Sequence, residues 1–389
     1  MQLFISLVFA LLFIYVILFW YYRAAWKSIP DFEPPPGFRP ATFLSVIVPA
    51  RNEAKNITAL LASLHAQTYP ADLFEVIIID DHSTDNTAAA VLAYPATNTR
   101  LLSLRDLLED KAINSYKKKA IEWGIAQSRG QLIVTTDADC TVPEKWLETI
   151  AAFYEKYDPV FIAAPVNINC SKRFIEMFQA LDFMTMQGIT GAAVHKNLHS
   201  MCNGANLAYE KAAFYAVEGF KDIDHMASGD DMLLMHKMAK LFPRRICFLK
   251  TPDAIVNTTP VKTIKEFFNQ RIRWASKADQ YEDKKIMGVL LLVYLLNVTL
   301  FLMPLFALLK NPHLILFNTS LSFAGLWLLL VVLKTIAELL LLYPVAKFFG
   351  KQKMLLLFPL LQPFHILYII SAGWLGKFGS YHWKERKVK

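Results

Sequence analysis

Carboxylates recur in close pairs along this chain, each beside an apolar run. Asp80 and Asp81 end IIIDD at 77–81, Asp137 and Asp139 stand in TTDADC at 135–140, and Asp230 and Asp231 stand in GDDMLL at 229–234. In an extended chain residues i and i+2 point the same way. Two carboxylates aimed at one spot repel unless a cation or proton lies between them. Oxygen ligands with open positions suit Mg²⁺ or Mn²⁺, which then bridge to substrate phosphates. One acid after a strand is commonly a helix cap, and Asp85 or Ser83 can be only that. A second acid exceeds what capping needs; in Asp230–Asp231 it can serve as a general base.

Two basic clusters complement the acids. Tyr116-Lys117-Lys118-Lys119 opens an amphipathic helix. It is either a solvated basic turn or a diphosphate contact. In QRIRW at 270–274, Gln270 lies three residues from Arg273 and four from Trp274, so all three share a helix face. A guanidinium can clamp a diphosphate and an indole can stack on a sugar. The alternative is a pair of membrane-interface anchors.

These groups need a scaffold. FLSVIVP (43–49), FEVIIID (74–80), QLIVTTD (131–137) and VFIAAP (160–165) read as buried strands, with amphipathic helical patterns near 53–67, 113–127 and 143–157. That alternation predicts an α/β domain with a mostly parallel sheet covered on both faces. Its ligands belong at the C-terminal ends of the strands, where Glu53 and the first two acid pairs fall.

The composition requires more than this domain. The 389 residues are 54% hydrophobic and 19% charged, less charged than the roughly 25% of soluble proteins. Disorder is excluded. Four cysteines, with no C-x-x-C pair, exclude a disulfide scaffold and read as reduced thiols. The net charge of +8 comes from short scattered clusters, which suits an anionic membrane surface better than nucleic acid. Residues 3–22 form an apolar stretch closed by Trp20, Tyr21 and Tyr22, which reads as an uncleaved anchor. Arg23 and Lys27 place its C-terminal flank in the cytoplasm. Residues 263–285 read as an amphipathic interfacial helix, and later spans are expected at 286–309, 314–333 and 354–375. The stretch 335–349 is ambiguous, and the basic tail from Lys384 to Lys389 would favour a fourth crossing there. Lys334 and Glu338, one turn apart, either pair inside the membrane or both lie at its interface. The sequons at Asn56, Asn257, Asn297 and Asn318 are read as chance.

SVIVPARNE, IIIDDHSTDNT, Asp137-Ala-Asp139, Gly229-Asp-Asp and QRIRW together resemble the membrane-integrated family-2 glycosyltransferases, the group with cellulose, chitin, hyaluronan and poly-N-acetylglucosamine synthases and ceramide glucosyltransferase. The resemblance covers about residues 42–280. It implies a GT-A fold, Rossmann-like, with transmembrane helices at both ends. It implies a nucleotide-sugar donor, usually a UDP-sugar, a divalent metal (Mg²⁺ or Mn²⁺) and inversion at the anomeric carbon. By position, Glu53, Asp80 and Asp81 would hold the nucleotide, Lys117 the diphosphate and Asp137 nucleotide and sugar. Asp139 would bind the metal, and Asp231 would be the base. Asp230, Gln270, Arg273 and Trp274 would line the acceptor and diphosphate sites. Cys202 to Asn206 resembles the acceptor-side loop. Tyr116 replaces the usual Gly, and Asp230 the usual Glu.

The expected organisation is an anchor at 1–23, a Pro-rich linker at 24–41 and the GT-A domain at 42–261. An interfacial helix at 262–285, spans at 286–376 and a basic tail at 377–389 follow. An integral membrane enzyme with a cytosolic catalytic domain is expected, acting on a lipid or a growing polysaccharide, with or without a membrane partner subunit. A catalytically inactive scaffold of a polysaccharide export assembly is the alternative, and it predicts broken acidic motifs.

Overall fold

The computed structural model describes residues 2–108, 113–198, 201–226, 228–276, 284–310, 313–316, 319–378, 381–383 and 386–388. Residues 277–283 of the interfacial stretch, Asn318, and Lys384, Glu385 and Lys389 of the tail lie outside them.

Helix α1 is Gln2–Ser28. β1 (Leu44–Ala50), α2 (Ile57–His65), β2 (Phe74–Asp80), α3 (Thr87–Leu92) and β3 (Thr99–Ser103) follow. Next come α4 (Leu104–Leu108), α5 (Tyr116–Gln127), β4 (Leu132–Thr135), β5 (Cys140–Thr141) and α6 (Trp146–Tyr157). Then β6 (Phe161–Ala163), β7 (Val166–Ile168), α7 (Phe174–His195), β8 (Leu207–Glu210), α8 (Lys211–Ala216) and α9 (Met232–Leu241). β9 (Ile246–Phe248), β10 (Val256–Thr258), α10 (Ile264–Ala275), α11 (Lys284–Lys310), α12 (Phe323–Phe348) and α13 (Phe358–Phe378) complete the main elements. The chain divides into two compact units. One holds Ser28–Ser171 and Ile189–Pro260, the other Met1–Lys27, Lys172–Gly188 and Val261–Lys389.

The first unit is the α/β fold. Its main sheet runs β3-β2-β1-β4-β8-β6-β9. β3, β2, β1 and β4 are parallel, and β8 runs against both of its neighbours. The order reverses between β1 and β4, which opens a crevice at their C-terminal ends. The central strands are apolar on both faces because helices cover both: Val46, Ile47, Ile77 and Ile78 are fully buried. Each such side chain contributes about 1.5–3 kcal/mol. Gly124 lets α5 lie close on this sheet, since a Cβ there would come 2.8 Å from Ile47 and Ile79. The first turn of α5 thereby reaches the C-terminal edge of the strands.

The Pro-rich stretch expected as a spacer is docked on this unit. The Phe32 ring meets Phe153 edge-on at 5.0 Å, and Lys250 Nζ lies 3.1 Å from Asp31 Oδ1. Glu155 Oε1 accepts from the Ala41 and Thr42 N–H groups and from the Thr42 hydroxyl.

The second unit is helical. Among the described residues, Leu3–Ser28, Lys285–Leu308, Phe323–Phe348 and Gln352–Lys377 are long and apolar enough to cross a membrane. The span expected at 314–333 is displaced. His313–Leu316 pairs as a strand with Thr319–Ser322, and Ser322 caps α12 by accepting from the Gly325 N–H. Thr319, Ser320 and Ser322 interrupt the apolar run, so the helix starts after them. It then continues through 335–348 as one element. That continuation carries Lys334 and Glu338 into the bundle, where they pair at 2.7 Å, both buried. α10 begins with a capping box between Thr263 and Glu266. All four cysteines are free.

Candidate active site

The loops after β1 and β2 are tied into one surface. Asn52 adopts a left-handed backbone, φ 53°, which Asn tolerates better than most residues. Its N–H donates to Ser83 Oγ, its Oδ1 accepts from the Thr84 N–H, and the Glu53 N–H donates to Thr87 Oγ1. The Ala54 N–H donates to Asp85 Oδ2. Ser83 and Asp85 therefore staple two loops together, which is more than the capping expected of them. Burial pushes the pKa of Asp85 up, but hydrogen bonds from the Thr87 hydroxyl and from the Ala54 and Thr87 N–H groups outweigh it and hold it below the usual value. Glu53 Oε2 accepts from the Asn56 side chain at 2.7 Å.

Asp80 and Asp81 are both buried at the end of β2. Asp80 Oδ2 accepts from the Ser83 N–H, while its Oδ1 is buried without a hydrogen-bond partner among the described residues. A buried carboxylate oxygen left open costs free energy unless a donor arrives. Asp81 Oδ1 contacts His82 Nδ1 at 3.0 Å. Arg51 Nη1 donates to the carbonyls of Asp81 and His82 at 2.8 and 3.1 Å, fixing the turn. The sequence reading missed Arg51. Its signal was a lone charge directly after a buried strand. The His82 ring meets Tyr116 edge-on at 5.6 Å, so Tyr116 occupies space beside the Asp81 turn.

A second group forms around the lysines of α5. Lys117 Nζ lies 2.8 Å from Asp137 Oδ1 and 3.0 Å from Asp230 Oδ2. Burial works against this charge, but the two carboxylates outweigh it and hold the ammonium above the usual lysine pKa. Lys118 is buried and donates instead to the carbonyls of Ile223, Met226 and Ser228. Lys119 pairs with Glu122. Of the three lysines, Lys117 is the one seen to pair with Asp137 and Asp230.

Asp231 caps α9. Its Oδ1 accepts from the Met232 N–H at 2.7 Å, and its Oδ2 from the Gly204 N–H at 3.2 Å. The capping acid of Asp230–Asp231 is thus the one that the resemblance implies as base, while Asp230 faces Lys117. Gly204 is closely boxed. A Cβ there would lie 3.1 Å from Asp230 Oδ2 and 3.3 Å from Lys117 Nζ. Asn206, in the same loop, is a fully buried tie. It donates to the carbonyls of Pro165 and Ala254 and accepts from the Trp146 indole.

Asp137 and Asp139 follow β4, two residues apart. Among the described residues, no group of three or more His, Cys, Asp or Glu could hold a metal ion. Two carboxylates can still contribute oxygens to Mg²⁺ or Mn²⁺ when substrate phosphates and water complete the coordination. The neighbouring Cys140 is no competing thiolate, because burial and the charges of Asp139 and Asp137 push its pKa up. The donor set therefore fits a hard cation.

Gln270, Arg273 and Trp274 lie on α10 in the helical unit. There the buried arginine is Arg271, whose guanidinium lies 4.2 Å from the Trp274 ring centroid.

Residues 45–217 match the family model Glycosyl transferase family 2, and residues 132–346 the model Glycosyl transferase family group 2, more than half of the chain. Over 106 residues the chain is 37% identical to glycosyltransferase AglE of Haloferax volcanii, covering 27% of this chain and 33% of the relative. Over 194 residues it is 31% identical to the 4,4'-diaponeurosporenoate glycosyltransferase of Staphylococcus aureus, covering 48% and 49%. The chain thus spans between a third and a half of the length of these curated relatives. In fold it is similar to the mannosyltransferase PcManGT from Pyrobaculum calidifontis, solved with GDP-Man and Mn²⁺. The TM-score is 0.54 at 18% identity, with 95% of this chain and 98% of that one covered. With its acid pairs after β2 and β4 and ahead of α9 on a GT-A-like sheet, the chain belongs to glycosyl transferase family group 2.

Proposed function

We propose that the chain is an inverting membrane glycosyltransferase. It moves a hexose or N-acetylhexosamine from a nucleoside-diphosphate sugar to a lipid or a growing polysaccharide at the cytosolic membrane face. Within the family, the motif set groups it with the processive synthases and ceramide glucosyltransferase. The observation that carries this reading is the meeting of Lys117 with Asp137 and Asp230, beside Gly204 and Asp231.

In this reading Asp80 and Asp81 hold the base. The open Asp80 Oδ1 suits an N–H donor such as N3–H of uracil, which favours a UDP-sugar. Asp137 orients the sugar nucleotide. Asp231, its carboxylate fixed by two backbone N–H groups, takes the proton from the acceptor hydroxyl as that oxygen attacks the anomeric carbon. Lys117 stabilises the charge that grows on the departing diphosphate. When bound by Asp139, Mg²⁺ or Mn²⁺ supplies further neutralisation of that diphosphate. Gln270, Arg273 and Trp274 line the acceptor side.

The test is nucleoside diphosphate release by detergent-purified protein over a panel of UDP- and GDP-sugars, with polar lipid extract as acceptor and products sized by mass. GDP-mannose belongs in the panel because the fold neighbour from Pyrobaculum was solved with it. One donor is expected to be turned over, with release abolished by EDTA and restored by Mn²⁺ or Mg²⁺. Release that survives EDTA would remove the metal from the reading. No release from any donor with any lipid fraction would favour the inactive scaffold.

Gly204 offers a sharper probe of the geometry. Gly204→Ala is expected to lower transfer by up to about tenfold, because an added methyl makes Lys117 or Asp230 give by a few tenths of an ångström, well short of the misplacement of about 1 Å that can cost about 10²-fold. The melting temperature should change little, since the methyl meets side-chain ends. Wild-type turnover in this variant would show that the spacing of Lys117 and Asp230 at Gly204 does not limit the reaction.

A further inference from the structure

Asp182 is a buried carboxylate on α7 where three elements meet. Its Oδ2 lies 2.7 Å from Arg271 Nη2 of α10, a contact of opposite charges whose N–H groups are not aligned for a hydrogen bond. Its Oδ1 accepts a hydrogen bond from the Tyr368 hydroxyl of α13 at 2.7 Å. Arg271 is only 3% exposed. Its guanidinium lies over two rings of its own helix, 4.8 Å from the Phe267 centroid and 4.2 Å from that of Trp274. Its Nη1 also donates to Gln270 Oε1 at 3.3 Å. One cation thus touches two of the three residues of α10 that the motif singles out. A buried guanidinium among aromatic rings needs a counter-charge, and Asp182 supplies it from another helix.

The end of α10 is held a second time. A Cβ on Gly376 would come 2.7 Å from Ala275 Cβ, so α13 lies against the last turn of α10 at a point where only glycine fits. Phe183, next to Asp182 in α7, adds a tilted ring 6.1 Å from that of Trp274.

We propose that Arg271, fixed by Asp182, is a positioning residue that sets the Trp274 indole and the Gln270 amide. This rests on the reading of Trp274 and Gln270 as acceptor contacts. Stacking of the guanidinium on Phe267 and Trp274 fixes the plane of the indole, and Asp182, itself held by Tyr368, supplies the counter-charge that keeps the guanidinium there. Lysine cannot do this work, because its ammonium is a point charge with no plane to stack.

The experiment uses the full chain in nanodiscs, labelled with 5-fluorotryptophan, with the Trp274 ¹⁹F resonance assigned by Trp274→Phe. In Arg271→Lys that resonance is expected to shift or broaden while those of the remaining tryptophans hold. With vesicles of total polar lipid as acceptor, half-saturation should rise about tenfold and kcat fall less than about threefold. Asp182→Asn should reproduce both effects. Asp182→Glu, which keeps the charge, should restore them in part. It also provides the readout if Arg271→Lys does not purify folded.

A Trp274 resonance unmoved in folded Arg271→Lys overturns the proposal, and so does a lowered melting temperature with half-saturation unchanged. If the resonance moves but Trp274→Phe itself leaves half-saturation at the wild-type value, the positioning stands and the acceptor reading of Trp274 fails.

Discussion

Asp231→Asn is expected to lower sugar transfer by about 10²–10⁴-fold, the contribution of a positioned general base. The substitution isolates the chemistry because asparagine caps a helix about as well as aspartate does. The bond from the Met232 N–H to Oδ1 can be kept, and α9 should hold its start. What disappears is the second carboxylate oxygen and with it the capacity to take a proton. The bond from the Gly204 N–H to Oδ2 is the other loss, so a modest change in melting temperature is expected beside the large change in rate. Asp230→Asn is the necessary companion. It removes one of the two carboxylates on Lys117 and leaves Asp137 in place, so its loss of rate should be the smaller of the two. Product formation by both variants, measured with the turned-over donor, decides between the acids. A greater loss in Asp230→Asn would move the base to Asp230 and leave Asp231 as a cap. Near-wild-type transfer by both would remove general-base catalysis from this acid pair altogether.

The acid pairs were legible in the sequence because each exceeds what its local structure needs. A strand end or a helix start uses one carboxylate, so a second one signals a task. Which lysine meets the acids was less accessible. Successive residues on a helix point about 100° apart, and only the packing of α5 on the sheet decides which of Lys117, Lys118 and Lys119 faces the acids. Ser83 and Asp85 looked like caps because capping is a local signal. Their partners across the loop, Asn52 and Ala54, become neighbours only when β1 and β2 pair in parallel. The displaced second late span has a related cause. An averaged hydropathy passes over Thr319, Ser320 and Ser322, whereas the backbone uses Ser322 to start a helix. Arg271 went unread in a motif whose other members were singled out. A helix-face argument selects Gln270, Arg273 and Trp274, and the partner that buries Arg271 stands on α7, remote in sequence. A carboxylate such as Asp182 within an apolar helical stretch was itself a signal that a partner exists.

Lys334→Met is expected to destabilise the protein by about 3–5 kcal/mol, the cost of leaving a buried charge without its partner. Lys334 Nζ lies 2.7 Å from Glu338 Oε1 and 2.8 Å from Gln362 Oε1. Glu338 in turn accepts from the Tyr15 hydroxyl and from the Gln362 amide, so the pair ties α12 to α1 and α13. Removing the ammonium leaves a carboxylate with two neutral donors in a setting that water does not reach. Such a network is weak evidence for net stability, since desolvation offsets much of the attraction. Its value lies in the asymmetry between breaking it and replacing it. Lys334→Met with Glu338→Gln should therefore recover more than half of the loss. The double variant carries no charge, and the glutamine carbonyl can still accept from Tyr15 or Gln362. Denaturant or thermal unfolding in one detergent, run on both single variants and the double, gives the coupling between the two residues directly. Additive losses would mean that the two charges are solvated separately, as at an interface. A double variant more stable than either single one would instead show a pair that is costly to break and cheap to remove together.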